Sequence, residues 1–280
     1  MDSPWLSLIA FVIMLLAVGL GGLIRRRWPE HHSNRETIEL VQTTVMMLAT
    51  FAAIVLGLLI TSSKSDFDGI ESNLRALSSS IVELDYSLEG LGAAAVPARQ
   101  QLARYLGAAI ASTWEDQQPP GGDFYPRLPR SSSSRTSQNS PVLGRILEGV
   151  SSSIQQMPVS SGAEARAQTN SLRLMDLVLT ERWQLISSAE GSLSAPFFVV
   201  LVFWLAVIFL CFGLSAPFNH LSFLVTALSA LALASALFVI IDLYTPFTGI
   251  FTVSSTPARQ ALASMLAQPD GTPPPSSNSP

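Results

Sequence analysis

The sequence predicts an all-α membrane protein with four transmembrane helices and a helical extramembrane lobe between the second and the third. Three observations carry this reading. Only 13% of the 280 residues are charged while 48% are hydrophobic, whereas a soluble chain carries about 25% charge, and mean hydropathy is positive at +0.39. Four apolar runs, at 5–24, 40–61, 195–214 and 221–243, each supply the roughly 20 residues that carry a helix across about 30 Å of hydrocarbon. Between the second and third runs, the segment 62–194 is polar enough to stand in water, yet it keeps helical spacing of its apolar residues.

The first run is preceded by Asp2 instead of a basic stretch and followed at once by Arg25, Arg26 and Arg27, the pattern of an uncleaved anchor with a translocated N-terminus. The second run carries Thr43, Thr50 and Thr61, which share one helical face with Ala53 and Gly57. Hydroxyls and small residues on one face suit either a narrow ion path or close helix packing. Beyond it, Phe67, Ile70, Leu74, Leu77, Ile81, Leu84, Leu88 and Leu91 alternate steps of three and four. This heptad seam predicts a helix continuing out of the second span, either as a coiled-coil stalk or packed on its own lobe. Extended backward, the seam falls on Ala49, Ala53 and Ile60, with Gly57 adding a small residue.

Pro97 opens a second amphipathic helix reaching about Gln117, as proline favours a first helical turn. The stretch 118–141 is rich in Pro, Gly and Ser and reads as a disordered, mobile loop. Helical patterns resume at 142–156 and 163–192. After the fourth span, 244–267 reads as a turn and a short helix beginning near Pro257, and 268–280 as a disordered tail.

Arginines 25, 26, 27 and 35 crowd the loop between spans one and two. The positive-inside rule places that loop in the cytoplasm, which puts both termini and the 62–194 lobe on the periplasmic side of a bacterial inner membrane. A single lysine, Lys64, among 16 basic residues fits the codon bias of a GC-rich bacterial genome.

Sixteen basic and 20 acidic residues give a net charge of −4 without a like-charge run, so nucleic acid is not an expected partner. The lone Cys211 excludes a disulfide framework. His31, His32 and His220 lack the spacing of a metal site. No phosphate loop, nucleophile elbow or acid–base pair occurs. No catalytic residue, metal or cofactor is therefore assigned, and an enzyme is not expected. Asp242, after a long uncharged run, is the one acid at membrane depth. It reads either as an ion contact or as a cap on backbone N–H groups of the turn 245–249.

The block 193–262, with SLSAPFFVVLVFWLAVIFLCFGLSAPFN and then ALSALALASALFVIIDLYTPFTGIFTVSSTPARQAL, resembles the bacterial bestrophin-like integral membrane proteins, a domain of unknown function. Its most specific piece is the turn Asp242, Pro246, Phe247 and Gly249, followed by Ser254 and Ser255. The resemblance implies comparison with bestrophins, pentameric anion channels whose second span lines the pore and continues into a large helical body. Bestrophins hold that body and their termini in the cytoplasm, opposite to the arginine count here. Their aromatic pore neck has no counterpart in span two, where Phe51 is the only aromatic, and the calcium-binding acidic cluster of animal bestrophins is not located. The expectation is a homo-oligomer in the lipid bilayer that conducts ions. The alternative is a non-conducting scaffold or sensor whose lobe binds a protein partner, of unknown identity.

Overall fold

Unbroken apolar runs of about 20 residues satisfy all their backbone groups inside a bilayer by forming helices. The computed structural model describes residues 3–27, 35–128, 140–189, 195–215 and 219–267, and shows eight α-helices there. These are α1 (Ser3–Arg27), α2 (Arg35–Glu89), α3 (Val96–Thr113), α4 (Pro141–Gln155), α5 (Gly162–Ala189), α6 (Ala195–Ser215), α7 (His220–Leu243) and α8 (Thr256–Ala267). No strand occurs among the described residues. Four helices, α1, α2, α6 and α7, are long and apolar enough to cross a membrane. The predicted tail 268–280 and the histidines at 31 and 32 lie outside the described residues.

The chain forms two units, one of Met1–Phe67 with Gly191–Phe251 and one of Asp68–Glu190 with Thr252–Pro280. In the first, α1 packs on α6 and α7, and Met14, Leu205, Phe209, Ala230, Leu237 and Ile240 belong to the shared core. The α1–α6 crossing depends on two glycines. A Cβ on Gly21 would lie 2.2 Å from the carbonyl oxygen of Leu210, and one on Gly213 would lie 2.2 Å from that of Val18. Only hydrogen fits at either position, so the two backbones approach as in small-residue membrane crossings.

Helix α2 is 55 residues long, roughly 80 Å at helical rise, and the unit boundary at Phe67 and Asp68 falls within its residues. Within the first unit it buries Val45, Ala52 and Leu56. This differs from the backward extension of the seam, because Ala53 and Ile60 are exposed and Ala49 is only half-buried. An ideal helix drifts about 20° per heptad from a strict seven-residue repeat, about 40° over two heptads, which turns Ala53 and Ile60 off the buried stripe.

In the second unit the seam is consumed within the chain. Ile70, Leu74, Leu77, Ile81, Leu84 and Leu88 are all buried, and Leu74, Leu77 and Ile81 meet Tyr105, Ile110 and Trp114 around a small void. Packing of the helix on its own lobe accounts for the pattern. Asp85, nearby on α2, receives a bidentate pair of bonds from Arg99 at 2.8 and 2.9 Å. That bonding holds the guanidinium pKa above its usual range, against the opposing effect of burial.

Helix α4 follows its amphipathic pattern closely, with Leu143, Leu147, Val150 and Ile154 fully buried. Ser140 caps its first turn by accepting from the Val142 N–H at 3.3 Å. At the start of α5, Ser161 accepts from the Glu164 N–H at 3.2 Å while Glu164 accepts from the Ser160 N–H at 2.7 Å, a variant of the capping box. Of the predicted loop 118–141, residues 129–139 lie outside the described residues. The part at 118–128 has no helix, yet Tyr125 bonds to the Pro120 carbonyl at 2.8 Å and its ring covers Gly107, where a Cβ would meet it at 2.8 Å.

Candidate functional site

The turn after α7 is built from Asp242 outward. Pro246 has no N–H to continue the helix. The chain instead closes through the Thr245 N–H to the Asp242 carbonyl at 2.9 Å and the Thr248 N–H to the Thr245 carbonyl at 3.1 Å. Gly249 then adopts φ +154°, a region open essentially to glycine alone. This brings the next two residues back over the carboxylate. Asp242 is 1% exposed, and its Oδ2 accepts from the Ile250 N–H at 3.0 Å and the Phe251 N–H at 2.8 Å.

The sequence reading placed the capped donors at 245–249. Ile250 and Phe251, just beyond that turn, are among the partners of Asp242, while Thr245 and Thr248 bond to backbone carbonyls within the turn. Phe247 is buried beside it at 6% exposure. A carboxylate that accepts from the Ile250 and Phe251 N–H groups makes a stiff latch, since charge-assisted bonds to N–H groups are roughly twice as strong as neutral ones.

Ser254 belongs to the second unit, at the entry to α8. Its hydroxyl bonds to Thr256 Oγ1 at 2.8 Å and accepts from the Thr256 N–H at 3.2 Å. Next to it, Ser255 bonds to Gln117 and accepts from Arg259 Nε at 3.0 Å, and Arg259 also reaches the Gln118 carbonyl at 2.7 Å. Trp114 Nε1 donates to the Val253 carbonyl at 2.8 Å. Nothing in the sequence pointed to Trp114, Gln117 or Arg259, because these contacts join positions about 140 residues apart.

The α2 residues singled out from sequence, Thr43, Thr50, Ala53, Gly57 and Thr61, are all exposed. No atom lies within 4 Å of where a Gly57 Cβ would stand, so close packing on this face is not made inside the chain. At about 100° per residue, the five positions fall in an arc of about 80°. That arc is centred roughly 130° from the buried stripe of Val45, Ala52 and Leu56, and roughly 80° from an exposed apolar stripe of Met47, Phe51, Ile54 and Leu58. The three threonine hydroxyls donate to the carbonyls of Glu39, Met46 and Gly57 at 2.9, 2.8 and 2.9 Å, a local bond that keeps a hydroxyl at home in a membrane helix. No group of three His, Cys, Asp or Glu able to hold a metal occurs among the described residues.

A family model described as the bestrophin-like domain matches residues 11–258. Among solved structures, the chain is similar to single-substitution variants of a bacterial bestrophin homologue from Klebsiella pneumoniae. One has 17% identity and a TM-score of 0.62, over 96% of this chain and 98% of that one. A second has 16% identity and a TM-score of 0.59, over 94% and 97%. A crystal structure described as a membrane protein matches at 15% identity and a TM-score of 0.61, over 93% and 97%. At such identities the likeness shows the fold. No curated protein matches the chain.

Proposed function

The chain belongs to the bestrophin-like family, and from that membership we propose that it is a homo-oligomeric ion channel of the bacterial inner membrane, selective for anions, with α2 nearest the axis. The observation that carries this reading is the third face of α2. A membrane helix in one chain needs a stripe for its neighbours and a stripe for lipid, and α2 has both in Val45, Ala52 and Leu56 and in Met47, Phe51, Ile54 and Leu58. The exposed stripe of Thr43, Thr50, Ala53, Gly57 and Thr61, interrupted by the exposed Met46, is the least apolar of the three. Threonine gains little from facing hydrocarbon, whereas small residues and hydroxyls around a symmetry axis leave room for an ion and supply polar contacts to it. Within this reading Asp242, Pro246, Phe247 and Gly249 act as a latch that fixes the end of α7, and Ser254 orders the entry to α8. Anion selectivity is carried over from the bestrophins.

The arginines that close α1 support a lobe on the periplasmic side. A second reading, a scaffold or sensor without conduction, is favoured by an open groove of about 580 Å³ on the lobe, lined by Asn73, Thr180, Trp183 and Gln184 among others. Trp183 there is 57% exposed. Reconstitution in planar bilayers under a salt gradient tests the first reading against the second.

A further inference from the structure

Where α3 packs on α4, the lobe carries an open groove of about 420 Å³ lined by Gln101, Arg104, Val142, Arg145, Ile146 and Gly149. Both arginines are exposed. Among the described residues neither forms an ion pair or hydrogen bond, in contrast to Arg75 and Arg99, which are paired with Glu71 and Asp85. Two guanidinium groups in one groove, neither bonded to a carboxylate, repel each other, and they present planar forks of N–H donors matched to oxyanions. The acids nearest in sequence are Asp123, which pairs with Arg127, and Glu148, exposed on α4 three residues beyond Arg145, which offsets part of their charge without bonding to either.

A third positive contribution comes from the backbone. Val142 sits in the first turn of α4, where Ser140 already takes the Val142 and Gly144 N–H groups, so the helix contributes only the residual field of its dipole. The groove floor supplies a further polar group. Gln101 Oε1 is buried without a hydrogen-bond partner, against Gly149, where a Cβ would stand 2.6 Å away. Oxygen and nitrogen of such an amide are interchangeable by rotation, so the same side chain can turn an N–H toward a ligand. Val142 and Ile146, both half-buried, form an apolar wall beside these donors.

We propose that this groove binds a phosphate-type oxyanion, held by Arg104 and Arg145 at the N-terminal end of α4. The site is separate from α2 and does not rest on conduction. The occupant is either a soluble phosphorylated solute or a phospholipid headgroup, two sources of one chemistry.

The test uses the full chain in detergent and in nanodiscs, with inorganic pyrophosphate as the probe in calorimetric titrations at fixed ionic strength. Arg104→Gln and Arg145→Gln should each weaken pyrophosphate binding about tenfold or more, as expected for loss of charge-assisted hydrogen bonds. Arg166→Gln, an exposed arginine on α5, should leave it unchanged. Binding that persists in nanodiscs of phosphatidylcholine and is lost when phosphatidylglycerol is included assigns the groove to a lipid headgroup. Binding retained in both assigns it to a soluble ligand. Absence of pyrophosphate binding by the unsubstituted protein, or equal binding by all three variants, would overturn the proposal.

Discussion

A Cβ at Gly249 would stand 2.7 Å from Oδ1 of Asp242, so the carboxylate occupies the space that any other residue at 249 would need. The two positions act as one device. Glycine permits the φ of +154° that turns the chain back, and the carboxylate collects the two N–H groups that the turn delivers.

Replacing Asp242 therefore separates structure from charge. Asp242→Ala removes the acceptor of the part-buried Ile250 and Phe251 N–H groups, a loss at the low end of roughly 1–3 kcal/mol, and should lower the melting temperature of the purified protein. Asp242→Asn keeps a carbonyl acceptor and should be the milder change. Gly249→Ala both strains the backbone and crowds the carboxylate, and should resemble Asp242→Ala. Equal stability of all three variants and the parent in a thermal melt would show that the latch holds nothing.

The α1–α6 crossing gives a prediction that does not involve α7. A methyl on Gly21 or Gly213 meets a backbone oxygen at 2.2 Å, and backbone cannot rotate away as a side chain can. Either alanine variant should lose several degrees of melting temperature, while Gly19→Ala, which meets no atom within 4 Å, should lose almost none. Indifference to Gly213→Ala would mean that the helices cross elsewhere.

Tyr105 sets an upper pH limit for the lobe. Burial pushes its hydroxyl up to about 12, against the lowering influence of the Arg182 charge, while an unfolded tyrosine titrates near 10. The folded protein thus keeps a proton that the unfolded chain releases, so this residue costs stability only as pH rises from about 10 to about 12. Denaturant titrations across that window should fall less steeply for Tyr105→Phe than for the parent. Parallel slopes would contradict the assignment.

The side of the membrane is open to a direct assay. Reporter fusions at Ser133 should behave as periplasmic and fusions at His32 as cytoplasmic, as the Arg25–Arg27 cluster requires. The reverse pattern would move the lobe to the cytoplasm, where bestrophins carry theirs.

Much of the architecture was legible because it follows from hydropathy and period. The apolar runs recur as α1, α2, α6 and α7, and the heptad positions from Ile70 to Leu88 are buried as their spacing suggested. The importance of Asp242 was visible from an acid placed after a long uncharged run, although its partners at Ile250 and Phe251 were not, since they depend on how the intervening turn spends its own donors. What stayed hidden are pairings between distant positions. Gly21 is an ordinary glycine until Gly213 faces it, and Arg104 and Arg145 share a groove only because α3 lies beside α4. The buried stripe of α2 was misplaced at Ala53 and Ile60 for a different reason, the drift between a helix of 3.6 residues per turn and a strict heptad.

The central claim, that the exposed hydroxyl face of α2 lines an ion path, is tested most directly by single-channel recording in planar bilayers under a potassium chloride gradient. Currents should reverse toward the chloride equilibrium potential. Gly57→Leu should sharply reduce unitary conductance, whereas Leu58→Ile on the adjacent apolar stripe should leave it unchanged. Silent bilayers containing correctly assembled protein, or a conductance indifferent to Gly57→Leu, would contradict it.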